Sequence, residues 1–196
     1  MVILFEDSYL KVIHKAPGED SENCGGYPVG RLDRPVEGLL VLAKDGKTAS
    51  LLDGTIDKTY CAVAGNVPAV LPPEGVWEDL LFHDRRNNKT FVVDRERKGV
   101  RKAALRYLVL ARDGEEALLK IRLITGRTHQ IRVQAASRKM PLNGDGKYGS
   151  TVNGDIALCA CNIRFAHPVT GEQMDFSVIP EGKNFAKFKE QLNLSE

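Results

Sequence analysis

The chain has 196 residues, of which 42% are apolar and 28% charged, enough to bury a sizeable core and to exclude wholesale disorder. Its 28 basic and 26 acidic residues nearly cancel, leaving a net charge of +2. No apolar run approaches the ~20 residues that cross a bilayer, and Met1 to Phe5, followed by Glu6 and Asp7, lacks the basic flank and length of a secretory signal. The expected setting is therefore cytoplasmic, with no membrane partner.

Val2 to Phe5 and Leu10 to His14 are predicted as strands joined by a polar Glu6-Asp7-Ser8 turn. Lys15 to Gly30 mixes glycine, proline and charge without period and is predicted as a loop. Gly38-Leu-Leu-Val-Leu-Ala-Lys44 is continuously apolar, as in a strand covered on both faces. Gly46 to Leu52 is predicted as a short helix and Lys58 to Ala64 as a strand, before Pro68, Pro72 and Pro73 break the chain. Leu80 to Phe82 and Thr90 to Val93 flank a polar hairpin turn, Arg85 to Lys89. Lys102 to Ala111 and Glu116 to Thr125 form a second hairpin with Asp113-Gly114 at its tip. Thr128 is placed as the N-cap of a helix to about Lys139. Strands over Ala157 to Phe165 and Gln173 to Val178 precede a polar terminal helix from about Gly182. Strands joined mostly by hairpins argue for an α+β fold with a mostly antiparallel sheet, and against a doubly wound nucleotide fold.

Cys24, Cys61, Cys159 and Cys161 include no CxxC pair, and only His167 lies near the last two as a further ligand. Cys159 and Cys161 alternate along a strand and face one side. Reduced thiols in a core are the better reading, and no metal is expected.

Charge is segregated along the chain. Arg85 to Lys139 holds 16 Lys or Arg against 5 Asp or Glu, leaving 12 basic and 21 acidic residues elsewhere. This distribution builds a positive face suited to a polyanion, unless the strands turn the charges to opposite sides.

Gly144-Asp-Gly-Lys-Tyr-Gly149 matches GxGxxG letter for letter, but a predicted helix precedes it where the dinucleotide fingerprint needs a strand. It is no P-loop either, with Pro141 where the first glycine belongs. Arg31-Leu-Asp-Arg34 reads either as a surface ion-pair cluster or as a carboxylate kept ionised by flanking cations, a usable nucleophile or base at a loop-to-strand junction. Thr125-Gly-Arg-Thr-His-Gln-Ile-Arg-Val133 crowds Arg127, His129, Gln130 and Arg132 at a strand end and helix start, where backbone N–H groups favour an anion. On a helix from Thr128, His129 and Arg132 share a face. Tyr60 is not singled out by anything local.

Taken together, these segments resemble the RluA-type family of RNA pseudouridine synthases. Gly30-Arg-Leu-Asp-Arg34 leading into Gly38 to Lys44 resembles the family's catalytic-Asp motif, and Lys58-Thr-Tyr60 its base-stacking tyrosine motif. Thr125 to Val133, followed by Pro141, Gly144-Asp145 and Tyr148-Gly149, resembles the third, and Ile3 to Asp7 through His14-Lys15 the first strands. The likeness covers about Ile3 to Pro180. It implies a mixed, mostly antiparallel sheet with flanking helices and a central basic cleft. It further implies Asp33 as the essential carboxylate, Tyr60 as the ring packing on the target base and Arg132 as the partner of Asp33. Arg31, Arg34, Arg127, His129 and Gln130 then bind or position RNA. Departures occur at Pro35-Val-Glu37, where Asp-Thr-Ser is usual, at Lys15-Ala-Pro-Gly18 and at Val133-Gln134-Ala135.

The expected protein is a single catalytic domain over 1–196, with no separate N-terminal RNA-binding domain, acting as a monomer on tRNA or rRNA. The isomerisation involves no redox change, so no cofactor is expected. Two rivals stand beside it: a binding homologue that has lost catalysis through Pro35-Val-Glu37, and a small hydrolase using Asp33 and His129.

Overall fold

The apolar run after Glu37 has the environment its composition demands. In the computed structural model, which describes residues 1–193, it is a strand with all seven residues buried, at the heart of the first of two units. That unit comprises Met1–Tyr60 and Leu158–Pro180; the second comprises Cys61–Ala157 and the chain from Glu181 onward.

In the first unit the strands are β1 (Val2–Glu6), β2 (Leu10–Lys15), β3 (Tyr27–Val29) and β4 (Glu37–Ala43), followed by helix α1 (Gly46–Leu52) and strand β5 (Asp57–Ala64), which ends in the second unit. β10 (Leu158–Ala166) and β11 (Gln173–Ser177) complete it. β2 and β3 pair antiparallel with β4, β10 pairs parallel with it, and β1 and β11 extend the sheet antiparallel from β2 and β10. Side chains from β2, β4, β10 and α1 close the core, among them Leu10, Val12, Leu39, Val41, Leu52, Ile163 and Phe165. At Gly38, φ is +128° and a Cβ would strike the backbone of Ala160, so the parallel β4–β10 pairing requires glycine there. Asp45 caps α1, accepting from the Thr48 amide at 2.8 Å and the Thr48 hydroxyl at 3.0 Å.

The second unit holds β6 (Glu74–Asp84), β7 (Lys89–Val93), β8 (Val100–Asp113) and β9 (Glu116–Leu123), in the order β9-β8-β6-β7 with antiparallel pairing. Helix α2 (Gln130–Ser137) lies on one face of this sheet, where Val133 packs with Leu81 and Ala103. On the opposite face Lys102, Arg106, Lys120 and Arg122 are exposed, with Arg106 directly across from Arg122. Four of the 16 basic residues of the segment thus share this face, which exposed Glu74 and Glu78 of β6 also enter. A terminal 3-10 turn (Lys183–Phe188) leads into helix α3 (Lys189–Asn193); continuation of the expected helix over 194–196 lies outside the described residues.

The mostly antiparallel α+β expectation agrees with this architecture, with three local corrections. The expected loop over 15–30 contains a 3-10 turn (Ser21–Asn23) and β3, hidden because Pro28 interrupts any strand pattern. β6 begins at Glu74 rather than Leu80, since Glu74, Glu78 and Asp79 mask its alternation. α2 starts at Gln130, and its N-cap is His129 in the left-handed region (φ 55°, ψ 22°), not Thr128. The Thr128 carbonyl instead accepts from the Thr90 hydroxyl at 2.9 Å, and the His129 side chain does not cap the helix backbone. His129 consequently stands outside the helical face it was expected to share with Arg132.

Candidate active site

In the first unit, Asp33 sits in the loop between β3 and β4, and that loop is fastened from below. Lys15, wholly buried at the end of β2, donates from Nζ to the carbonyls of Ala16 (3.0 Å), Glu19 (3.0 Å) and Arg34 (3.2 Å). Burial holds its ammonium below the ordinary lysine range, opposed by nearby acidic groups including Asp33. Ser21 bonds Leu32 twice, donating to its carbonyl at 2.9 Å and accepting from its amide at 3.2 Å. The Val36 amide closes a turn on the Asp33 carbonyl at 2.9 Å. The carboxylate is thus presented half-buried from a backbone with few remaining degrees of freedom.

The two flanking arginines do not act as the simple charge reading suggests. Arg31 pairs with Glu22 at 2.9 Å, and Arg34 donates from Nε to the Gly18 carbonyl at 2.9 Å. Both guanidiniums are directed to these partners rather than to Asp33, and Arg34 stitches the loop to Gly18.

Tyr60 lies on β5, buried to 7% exposure. Burial pushes its phenol well above the usual tyrosine range, and the charge of Asp33 pushes it further, with smaller contributions from Cys159 and Cys161. Asp33 and Tyr60 are therefore brought within electrostatic reach inside one unit, so the ring stays a neutral aromatic surface beside the carboxylate. Two residues earlier on the same face of β5, Lys58 reaches the Val29 carbonyl at 3.5 Å. Burial lowers its ammonium to about 8.

The second unit carries the remaining residues. Gln130, 2% exposed, accepts from the Thr125 hydroxyl (2.8 Å) and the Arg127 amide (3.0 Å) and donates to the Ala104 carbonyl (3.0 Å). It clamps the strand-to-helix junction, and Arg127 is exposed there with Nε on the Lys102 carbonyl at 3.1 Å. Arg132 is buried in α2 and holds Asp145, Nε to Oδ2 at 2.7 Å and its terminal nitrogen to Oδ1 at 2.8 Å. Its guanidinium also lies over the Tyr148 ring, 5.1 Å from the centroid. The Tyr148 hydroxyl bonds His129 Nδ1 at 2.9 Å and accepts from the Thr90 amide at 2.9 Å. His129 and Arg132 are thus joined through Tyr148 rather than by a shared helical face.

Lys15, Ser21, Lys58, Asp145 and Tyr148 were not identified from residue chemistry alone. The signal for the last two was the glycine triplet: Gly146–Tyr148 is a 3-10 turn after a helix, not a nucleotide loop, and it delivers Asp145 to Arg132 and Tyr148 to His129. Among the described residues, no three His, Cys, Asp or Glu side chains are grouped to hold a metal ion, and all four cysteines are buried and in no disulfide. No helix among the described residues is long and apolar enough to cross a membrane.

Comparison with known proteins places this arrangement. The chain is 31% identical over 202 residues to a Bacillus subtilis protein named uncharacterized RNA pseudouridine synthase YhcT, covering 87% of this chain and 65% of that protein, so it spans just under two thirds of the relative's length. It is 28% identical over 217 residues to ribosomal large subunit pseudouridine synthase D of Zymomonas mobilis, covering 89% and 67%. The fold matches the solved human RNA pseudouridylate synthase domain containing 4 with a TM-score of 0.73 at 21% identity, over 98% of this chain and 93% of that one. The family model for RNA pseudouridylate synthases matches residues 7–137, a stretch that contains the Asp33 loop, Tyr60 and the Arg127 to Arg132 junction. The chain belongs to the RNA pseudouridylate synthase family, of the RluA type.

Proposed function

We propose that this chain converts a uridine of ribosomal or transfer RNA into pseudouridine, with Asp33 as the essential carboxylate. The observation that carries this reading is the electrostatic coupling of Asp33 to the buried ring of Tyr60, from a loop pinned by Lys15 and Ser21. The isomerisation breaks the N1–C1′ bond, turns the uracil and forms a C5–C1′ bond with loss of the C5 hydrogen. It needs a carboxylate that can add to C1′ or to the ring, or take the 2′ proton, and Asp33 is that group in each route. It also needs a uridine outside its stack, for which Tyr60 offers a replacement aromatic face.

Arg132 is the buried cation of the second unit, held in place by Asp145 and Tyr148. Arg31, Arg34 and Arg127 lie exposed for phosphate contact, while His129 and Gln130 position the junction that carries Arg127. The exposed Lys102, Arg106, Lys120 and Arg122 supply sequence-independent attraction and strong salt dependence. Membership of the family supports the reaction, and the name of the Zymomonas relative favours ribosomal RNA. We assign a cytoplasmic monomer as the working form.

The test is tritium release from ribosomal and transfer RNA labelled at uridine C5 and lacking the modification, for the wild type and Asp33→Asn. Release by the wild type alone is expected. RNA binding by the wild type with no release from either RNA class would replace this reading with that of a binding homologue.

A further inference from the structure

We infer that Lys58 is the seat of a backbone phosphate of the RNA strand, beside Tyr60. The inference rests on the reading that Asp33 and Tyr60 receive the target uridine.

The two lysines of the first unit's site are in opposite states. Lys15 spends all three of its donors on carbonyls at 3.0, 3.0 and 3.2 Å and is a structural pin. Among the described residues, Lys58 has one acceptor, the Val29 carbonyl at 3.5 Å, which is at the outer limit of a hydrogen bond. It makes no ion pair among the described residues, and no acidic group offsets the burial that lowers it to about 8. At least two N–H donors of a partly buried cation have no acceptor among the described residues.

The surroundings keep that position open. Gly30 next to it is in the left-handed region, with φ +71°, and a Cβ there would lie 3.2 Å from Lys58 Nζ. Any other side chain at position 30 would crowd the ammonium and strain the turn. Lys58 and Tyr60 alternate on β5 and leave the strand on the same face, so a group held by Lys58 lies next to the aromatic ring. A nucleotide flipped onto Tyr60 brings its own phosphodiester with it, and that group offers negative charge and two unbridged acceptor oxygens. The ligand that matches an uncompensated ammonium beside a base-stacking ring is that phosphate, and occupying the site restores the charged form that burial opposes.

The experiment compares wild type, Lys58→Met and Lys58→Arg. Affinity for unmodified bulk ribosomal and transfer RNA is measured by filter binding from about 50 to about 200 mM salt, alongside tritium release and a thermal melt. Lys58→Met is expected to melt no lower than the wild type, to bind roughly tenfold more weakly, and to show a slope of log affinity against log salt smaller by about one. Lys58→Arg keeps the charge and is expected to restore affinity and slope. Wild-type affinity and salt slope in Lys58→Met would overturn the assignment. So would Lys58→Arg binding as weakly as Lys58→Met, since the positive charge would then not be what the RNA strand meets there. Absence of tritium release by the wild type would count against the proposed function itself, whereas the binding and slope data address Lys58 alone.

Discussion

Arg132 and Asp145 meet through two parallel N–H···O bonds at 2.7 and 2.8 Å, with side chains only 4% and 1% exposed. Two charges withdrawn this far from water are tolerated because the fork of the guanidinium matches the carboxylate. Removing one of them leaves the other without its best partner. Asp145→Asn is expected to lower unfolding free energy by about 3 kcal/mol, read as a lower urea midpoint. Arg132→Met combined with Asp145→Leu should recover part of that stability without recovering tritium release. A wild-type midpoint in Asp145→Asn would show that the pair carries no structural weight.

Tyr60 is expected to act through its ring rather than its hydroxyl. Burial and the charge of Asp33 keep the phenol protonated at all working pH values. Tyr60→Phe should therefore retain RNA affinity and an unchanged alkaline limb in its pH–rate profile. Tyr60→Leu, which loses the flat stacking surface, should weaken binding by about 1–3 kcal/mol. Equal defects in the two variants would point to the hydroxyl instead.

Lys58 gives the folded protein a characteristic alkaline signature. Its pKa falls from 10.5 to about 8 on folding, so between those values the unfolded chain binds more protons than the native one. Unfolding free energy must then rise with pH across that window, and the penalty of the charged form is fully present below about 8. Urea midpoints of the wild type should carry this upward contribution, and Lys58→Met should lack it. Parallel curves for the two proteins would show that Lys58 is solvated like a surface lysine.

At acid pH the opposite sign applies to Asp7. Burial works against its ionisation, but the amides of Leu10 (2.9 Å) and Tyr9 (2.7 Å) and the His167 ring (2.9 Å) outweigh it and hold the carboxyl below 3.8. The stability it contributes is present above the ordinary carboxylate range and is lost as pH falls through the lowered folded value. Asp7→Ala should cost about 1–2 kcal/mol at neutral pH, and the difference from wild type should shrink in urea titrations carried toward about pH 2. A constant difference across that range would show that the turn depends on something other than the ionised carboxylate.

The β4 strand was legible because the six buried positions after Glu37 leave an unbroken apolar run, and the Asp33 loop because its motif precedes that run directly. Helix α2 was legible in its middle but not at its start. Its first turn is set by Gln130 reaching back to Arg127 and by Thr90 taking the Thr128 carbonyl, and the latter contact joins residues 38 apart. Asp145 was obscured for a related reason. It lies among glycines that imitate a nucleotide loop, and only the tertiary fold shows that its charge is directed to a guanidinium 13 residues earlier. Local pattern recovered the elements and the motif residues, whereas the supports around them come from distant parts of the chain.

The cysteines make each unit its own reporter of opening. Cys24, Cys159 and Cys161 belong to the first unit and Cys61 to the second, and all four are buried and in no disulfide. The Cys159 thiol is further pushed well above its usual range, first by burial and then by Glu37 and Cys161, so little reactive thiolate is available while the fold is closed. A thiol reagent therefore modifies the native protein at the rate at which each unit breathes. Mass spectrometry of the labelled sites can then time the two breathing motions separately, without an introduced probe.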